Sequence, residues 1–181
     1  QTNLGAHGEA REQRAVYVAD DGHRLLTVDL SQVDMRAMAA LSQDPAYMAL
    51  FAPGRDAHMD MAEAYFGERT PEARQKTKAF NHGGNYGQGP AAVSESSGLP
   101  LELCYELARI KGGAFPDLMT YIQSVRDLAS TGSLLDNGFG RLMRPDPERA
   151  YTQAPALMGQ GAARDIMWES VLRLVDADEW R

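Results

Sequence analysis

The chain has little cysteine, no long apolar run and fewer basic than acidic side chains. Its single cysteine, Cys104, excludes an internal disulfide and fits a reducing compartment. No stretch approaches the roughly 18 apolar residues of a membrane span, and no signal peptide is visible. We therefore expect a soluble, cytoplasmic protein, in the host cytoplasm if the source is viral. With 18 basic against 25 acidic residues, the net charge of -7 taken alone argues against a nucleic-acid binder.

The 181 residues suit one domain or one piece of a larger one, and Gln1 in place of methionine favours a processed product or a piece. Strand patterns at 15–18 and 24–28 flank an Asp-Gly turn and predict a hairpin that ends at Asp29. From there helical periodicity dominates, apart from a second hairpin pattern at 133–144. The sequence thus predicts a mostly helical α+β fold with a short antiparallel sheet.

Capping signals divide the helical part of the sequence. Asp56 is placed to cap a helix that Gly67 ends, and Thr70 followed by Pro71 opens the next one. The other predicted helices cover 34–42, 90–97, 100–111, 115–132 and 148–180, with Gly112-Gly113 as a break. On the last helix we expect a buried face of Ile166, Met167, Val171, Leu174 and Val175.

A helix over about 71–87 would carry a basic strip on one face. Its members are Arg74, Lys78, His82, Asn85 and Tyr86. Like charges four residues apart cost a helix a few tenths of a kcal/mol unless an anion lies nearby, so the strip suits a triphosphate and a base. The alternative is a solvated surface face. Gly83 and Gly84 each destabilise a helix by about 1 kcal/mol relative to alanine. They disfavour that alternative, because a surface helix without a binding role would not be expected to contain them.

The strip and an upstream segment together resemble DNA polymerase family A. Arg74, Lys78 and the pair Tyr86-Gly87 are similar to motif B of that family, the fingers helix that holds the incoming deoxynucleotide. Residues 29–36, DLSQVDMR, resemble motif A, usually written DYSQIELR. Two motifs in this order and at this separation are more specific than either alone. The resemblance extends over nearly the whole chain.

The resemblance implies a partial polymerase palm joined to helical fingers. Residues 1–45 would form the first part of the palm, 46–132 the fingers, and 133–181 a hairpin and a long helix returning to the palm. The family's third motif, usually HDE, supplies a second metal-binding aspartate, and no similar tripeptide occurs in this sequence. We therefore expect this chain alone to be inactive. It would be either a fragment of a longer polymerase or a subunit whose partner brings the thumb and the third motif.

Motif A implies the metal-binding and sugar-selecting residues. Asp29 and the backbone carbonyl of Leu30 would hold two Mg²⁺ ions, which neutralise polyphosphate charge during nucleotidyl transfer. An ordinary aspartate at a strand end is the alternative for Asp29. Asp34 occupies the position where most relatives carry the glutamate that blocks the ribose 2′-hydroxyl. Because aspartate is one methylene shorter, we expect weaker exclusion of ribonucleotides.

Motif B and the segment before it imply nucleotide contacts. Arg74 would grip the outer phosphates, and Lys78 would lie beside the breaking bond and protonate the leaving pyrophosphate. His58 resembles a family histidine that reaches the triphosphate, although it is also an ordinary residue for a capped helix start. His82 replaces the usual Phe or Tyr against the deoxyribose. Tyr86 would stack on the template base.

DNA contacts follow from matches elsewhere in the chain. Arg36 resembles the family arginine near the primer terminus, with a surface salt bridge as the alternative. Residues 148–155, ERAYTQAP, resemble ERAAINAP, and 160–166, QGAARDI, resemble QGTAADI. The positions that would touch template or primer are Arg149, Gln153 and Gln160. Arg141 matches the family's GRRL hairpin loosely or is a surface charge.

Together these matches predict a DNA-directed DNA polymerase that acts on primer-template DNA and dNTP and has no membrane partner. The first alternative is a catalytically inactive remnant that still binds nucleotide or DNA. The second is a helical interaction protein with chance motif matches. An incomplete palm would leave apolar surface exposed, so we expect association with a second chain or with copies of itself.

Overall fold

The computed structural model describes residues 16–177, and the chain divides after Ser31 into two units. Residues 1–14 of the sequence, the start of the first predicted strand at Ala15 and the end of the predicted last helix at Trp180 lie outside the described residues. None of the helices in the described part is both long and apolar enough to span a membrane.

The described part of the first unit contains a turn and no assigned strand. The predicted turn is confirmed, since the His23 N–H donates to the Asp20 carbonyl at 2.9 Å and Gly22 takes a φ of 79°. The predicted strands over 16–18 and 24–28 are wrong, because these residues are largely exposed and form no ladder. A two-stranded hairpin without a sheet or helix to cover it is marginally stable, which local strand propensity does not reveal.

The predicted fold class is confirmed by the described part of the second unit, which is mostly helical with one short antiparallel sheet. Leu135 lies opposite Met143 in that sheet, and Asp136 opposite Leu142. The elements in chain order are α1 Val33–Ser42, α2 Pro45–Ala49, α3 Ala57–Phe66, α4 Pro71–Asn85, α5 Pro90–Ser97, α6 Leu101–Ala114, α7 Pro116–Ser130, β1 Leu135–Asp136, β2 Leu142–Met143, a 3₁₀ turn Pro147–Arg149 and α8 Ala150–Asp176.

Helix α4 lies between α3 and α5, and its start follows the predicted cap. The Thr70 hydroxyl accepts from the Ala73 N–H at 3.1 Å, and Pro71 occupies the first turn, where a missing N–H costs nothing. Gly67 ends α3 in the left-handed conformation, with a φ of 69°. These local signals orient the helix that carries the basic strip.

The predicted break at Gly112-Gly113 is wrong, because α6 continues through both glycines to Ala114. Each glycine costs a helix about 1 kcal/mol, but burial of the apolar side chains on this helix, including Cys104 and Leu107, outweighs that cost. The helix ends at Phe115, which precedes Pro116 and lies outside the helical region at φ −133° and ψ 65°.

Helix α8 is long as predicted, but its buried residues are not the predicted ones. The first half is buried, through Ala154, Met158 and Ala162, and packs on α1 and α7. The residues expected to be buried lie on the second half, where Met167 and Val175 are exposed and Ile166 is only partly buried. Apolar periodicity gives the face of a helix but not how far along it the neighbouring helices reach.

One buried carboxylate joins two helix starts in the core. Asp44 is 1% exposed, and its Oδ1 accepts from the Tyr47 N–H at 2.9 Å, which caps α2. Its Oδ2 accepts from the N–H groups of Asp117 and Leu118 at 3.1 Å each, which caps α7. This double cap ties two helices distant in sequence around the buried ring of Tyr47.

Candidate active site

The basic strip lies on α4. Lys78 and His82 are exposed and Arg74 is partly buried. Tyr86 caps the helix and continues the strip, since its ring meets His82 edge-to-face with centroids 4.8 Å apart. Within residues 16–177, the ammonium of Lys78 makes no ion pair or hydrogen bond. The strip therefore presents an uncompensated ammonium beside two rings.

Asn85 is not part of the strip, contrary to the sequence interpretation. It is buried, and its Oδ1 accepts from Lys111 Nζ at 2.7 Å. It follows Thr77 and Asn81 on a buried polar stripe of α4 with four-residue spacing, in which the Asn81 amide oxygen accepts from the Tyr65 hydroxyl at 3.2 Å. Tyr47 and α6 cover the end of the helix, so Asn85 faces inward.

Arg74 is held by the residue that caps α3. Its Nε donates to Asp56 Oδ2 at 2.8 Å, while Asp56 Oδ1 accepts from the N–H groups of His58 and Met59 at 3.1 Å. Burial raises the pKa of Asp56, but the hydrogen bonds from Arg74 and the helix N–H groups outweigh it and hold the pKa below its usual value. The terminal nitrogens of Arg74 make no further hydrogen bond within the described residues.

His58 lies behind the strip and is 7% exposed. Burial, followed by the charges of Arg74 and Lys78, lowers its pKa, so the imidazole is neutral at neutral pH. Its buried Nδ1 has no hydrogen-bond partner among the described residues. An anion bound near Arg74 and Lys78 would offset part of the lowering of the His58 pKa by these two charges.

Three residues predicted from separate motifs meet at the end of α4. The Tyr86 hydroxyl donates to Asp34 Oδ2, with Asp34 in the first turn of α1. Burial and the Asp34 bond raise the pKa of Tyr86 to about 12, while a hydrogen bond with Gln160 of α8 acts in the opposite direction. The structure thus joins Asp34, Tyr86 and Gln160, which lie 52 and 74 residues apart in sequence.

A cavity of about 430 Å³ opens along the strip. One wall carries Lys78, His82 and Tyr86, and the other carries Ser96 and Ser97 of α5. A Cβ built at Gly83 would lie 2.8 Å from Val93 Cγ2, so only glycine permits this approach of α4 to α5. The cavity therefore combines a cation, aromatic rings and hydroxyl groups.

The predicted metal ligands lie in the first unit. Asp29 is exposed and Leu30 is partly buried, in a segment with no assigned helix or strand just before the division of the chain. Among residues 16–177, no three histidine, cysteine or acidic side chains lie close enough together to hold one ion. Asp29 and one carbonyl do not by themselves fit a pair of Mg²⁺ ions.

The predicted DNA contacts lie at several places. Arg36 donates to the Phe51 carbonyl at 3.2 Å and lies over the Phe51 ring. Arg149 is exposed at the end of the 3₁₀ turn, and Gln160 is exposed on α8. Gln153 accepts from the Asp146 N–H at 2.9 Å, so its amide oxygen supports the turn before α8.

Sequence reasoning missed the anchor of the hairpin. Arg141 pairs with Asp165 of α8 through two nitrogens, and Asn137 Nδ2 donates to Asp165 Oδ2 at 2.6 Å. The hydrogen bond from Arg141, against the effect of burial, lowers the pKa of Asp165 to about 2. The hairpin pattern at 133–144 does not indicate the partner of Asn137, which lies 28 residues away.

A sequence profile of DNA polymerase family A matches residues 3–178. The chain belongs to DNA polymerase family A. The predicted resemblance is confirmed at the level of the family.

Individual family A relatives agree with this assignment. The DNA polymerase of Mycobacterium phage D29 is 30% identical over 168 residues, which cover 91% of this chain and 27% of the relative. DNA polymerase I of Deinococcus radiodurans is 28% identical over 180 residues, covering 91% of this chain and 18% of the relative. The chain therefore spans about a quarter or less of these two family A relatives.

A solved family A structure has the same fold. It is described as the POL domain of Pol1 from M. smegmatis in complex with DNA primer-template and dNTP. The match has a TM-score of 0.80 and 26% identity, and it covers 97% of this chain and 34% of that one. The mostly helical α+β arrangement is thus that of part of a polymerase domain.

Proposed function

We propose that this chain carries the nucleotide-binding part of a DNA polymerase that transfers a nucleotide from dNTP to a primer 3′-hydroxyl on a DNA template. The observation that carries the proposal is the strip on α4, where Lys78, His82 and Tyr86 line one cavity and the Tyr86 hydroxyl donates to Asp34. Arg74 lies one turn before Lys78 on the same helix. Family membership supports it, as does the primer-template DNA and dNTP in the M. smegmatis structure.

The contacts of the strip support the division of roles among its cations. Asp56 fixes Arg74 through Nε, which leaves the terminal nitrogens for the outer phosphates. The ammonium of Lys78 has no carboxylate partner in the described part, so it is available to a phosphate and to proton transfer onto pyrophosphate. His58 would face the same phosphates from behind.

The remaining roles concern the sugar, the base and DNA. Asp34 would limit the ribose 2′-hydroxyl, His82 would pack on the sugar, and Tyr86 would stack on the template base. DNA contacts would come from Arg36, Arg149, Gln153 and Gln160. In this proposal the palm comprises 1–45 and 133–181, and the fingers comprise 46–132.

Catalysis would need a second aspartate from another segment or chain. Asp29 and the Leu30 carbonyl would contribute to holding two Mg²⁺ ions, which supply charge neutralisation when bound. Because one carboxylate cannot hold both ions, we propose that this chain is inactive alone. A longer form or a partner would bring the thumb and the third motif.

Complementation tests this proposal. Primer extension would be measured for the chain alone and mixed with a family A polypeptide that carries the thumb and the third motif, with each part assayed separately. We expect extension only from the mixture, and a loss of at least about 100-fold with Asp29→Asn. Extension by the chain alone, or no effect of Asp29→Asn, would contradict it. Binding of dNTP by the mixture without extension would support the inactive remnant.

A further inference from the structure

A second cavity, of about 180 Å³, lies on the other side of α4 from the strip. Apolar side chains form most of its wall, including Phe80, Val93, Met119 and Ile122. Gln88 and Tyr151, both exposed, lie at its edge. A cavity of about 150 Å³ is large enough to hold benzene, so an apolar group the size of a benzene ring fits in this one.

Lys111 places a buried ammonium in this apolar wall. Lys111 is 5% exposed, and within the described residues Asn85 Oδ1 is the one hydrogen-bond acceptor of its ammonium. Its Nζ would lie 3.6 Å from a Cβ built at Gly84, so it runs against the backbone of α4. An ammonium has three donors, and burying it with one neutral acceptor is costly.

Two further positive groups face the same cavity. Arg126 is fixed by hydrogen bonds to the carbonyls of Tyr151 at 2.9 Å and Gly87 at 3.4 Å, and its guanidinium lies 3.7 Å from the centre of the Tyr151 ring. The start of α5, at Gly89 and Pro90, also lines the cavity and has no side-chain cap, so the positive end of this helix dipole lies at the cavity. No carboxylate of the described residues lines the cavity.

We propose that this cavity is a binding site for a small carboxylate with an apolar body, with Lys111 as its counter-ion. The apolar wall would take the body, and the two free donors of Lys111 would take the carboxylate. Arg126 and the α5 N-terminus would add to the positive potential. This site is separate from the strip and does not depend on the polymerase function.

Benzoate is the probe for this proposal, with benzyl alcohol as its neutral match and inorganic phosphate as the anion without an apolar body. The full chain with ¹³C-labelled methyl groups would be titrated by NMR, with the Met119 and Val93 signals as the readout. We expect saturable shifts with benzoate and at least tenfold weaker binding of benzyl alcohol and phosphate. Equal binding of the alcohol, tighter binding of phosphate, or no saturable shift with benzoate would overturn the proposal.

Two lysine variants test whether the ammonium of Lys111 binds the carboxylate. Lys111→Met keeps an unbranched side chain without the ammonium, and we expect it to weaken benzoate binding at least tenfold. Lys76→Met is the matched control, because Lys76 is an exposed lysine paired with Glu72 on α4, and it should leave binding unchanged. Unchanged binding by Lys111→Met would overturn the role of Lys111. If that variant does not fold, the comparison of benzoate with benzyl alcohol on the unchanged chain still decides the proposal.

Discussion

At the scale of single residues, Asp34 combines a short side chain with a fixed orientation. By its resemblance to motif A it replaces the glutamate expected at this position, and the Tyr86 hydroxyl donates to its carboxylate. Side chains that differ by one methylene change discrimination by about tenfold or more in a fitted pocket. Asp34 therefore makes the choice between dNTP and rNTP a test of the sugar-selecting role.

We predict that Asp34→Glu raises the preference for dNTP over rNTP by about tenfold. The longer carboxylate would reach further toward the 2′-hydroxyl. Incorporation of each nucleotide would be measured in the complemented protein, with Glu72→Asp on the exposed start of α4 as a control. Equal discrimination by Asp34 and Asp34→Glu would contradict the role.

Lys111 gives a second residue-scale prediction. Burial lowers its pKa from 10.5 to about 8, so between these values the unfolded chain binds more protons than the folded one. Stability from this residue therefore rises with pH across that window, by at most about 3 kcal/mol. The free energy of unfolding of the wild type, relative to that of Lys111→Met, should rise by up to this amount between pH 7.5 and 10.5. Denaturant unfolding at the two pH values measures this change. A difference independent of pH would contradict the buried ammonium.

At the scale of elements, adjacent glycines on α4 have different surroundings. A Cβ at Gly83 would clash with Gln88 Oε1 and lie 2.8 Å from buried Val93. A Cβ at Gly84 would lie 3.6 Å from its nearest neighbour, Lys111 Nζ. We predict that Gly83→Ala lowers the free energy of unfolding by about 1–2 kcal/mol. Gly84→Ala should raise it by up to about 1 kcal/mol, since alanine favours the helix. Similar stabilities of the two variants in urea would show that α4 and α5 are not closely packed.

The double cap at Asp44 is tested in the same way. Asp44→Ala removes caps from α2 and α7 and leaves buried N–H groups unpaired, so we predict a loss of about 3 kcal/mol. Asp146→Ala is the control, because Asp146 caps only the exposed 3₁₀ turn and should cost about 1 kcal/mol or less. Losses of equal size in thermal or urea unfolding would rule out the double cap.

At the scale of the whole molecule, local sequence signals predicted where helices begin and end better than they predicted which helix residues are buried. Asp56, Gly67, Thr70 and Pro71 mark helix ends through their own backbone and side-chain chemistry, and these ends are confirmed. Gly112-Gly113 was interpreted as a break because helix propensity is local, whereas the burial that overrides it is not. The buried half of α8 likewise depends on where α1 and α7 lie.

Contacts between residues far apart in the sequence limit how much of the site can be predicted. The face shared by Arg74, Lys78 and His82 follows from helical spacing alone. The contact of Tyr86 with Asp34, and those of Asn85 with Lys111 and of Arg141 with Asp165, join residues 52, 26 and 24 positions apart. No local pattern indicates such pairs. The family resemblance predicted roles for Asp34 and Tyr86 but not the hydrogen bond between them.

Single-turnover incorporation of one dNTP by the complemented protein tests the central claim, that the strip on α4 binds and activates the nucleotide. Lys78→Met would be compared with Lys76→Met, two residues away on the same helix and paired with Glu72 at 2.7 Å. We predict that Lys78→Met slows the chemical step by at least about 100-fold, because general-acid and phosphate contacts are lost. Lys76→Met should stay within about twofold of the wild type, a surface ion pair being worth little. Equal rates for the two variants would contradict the account.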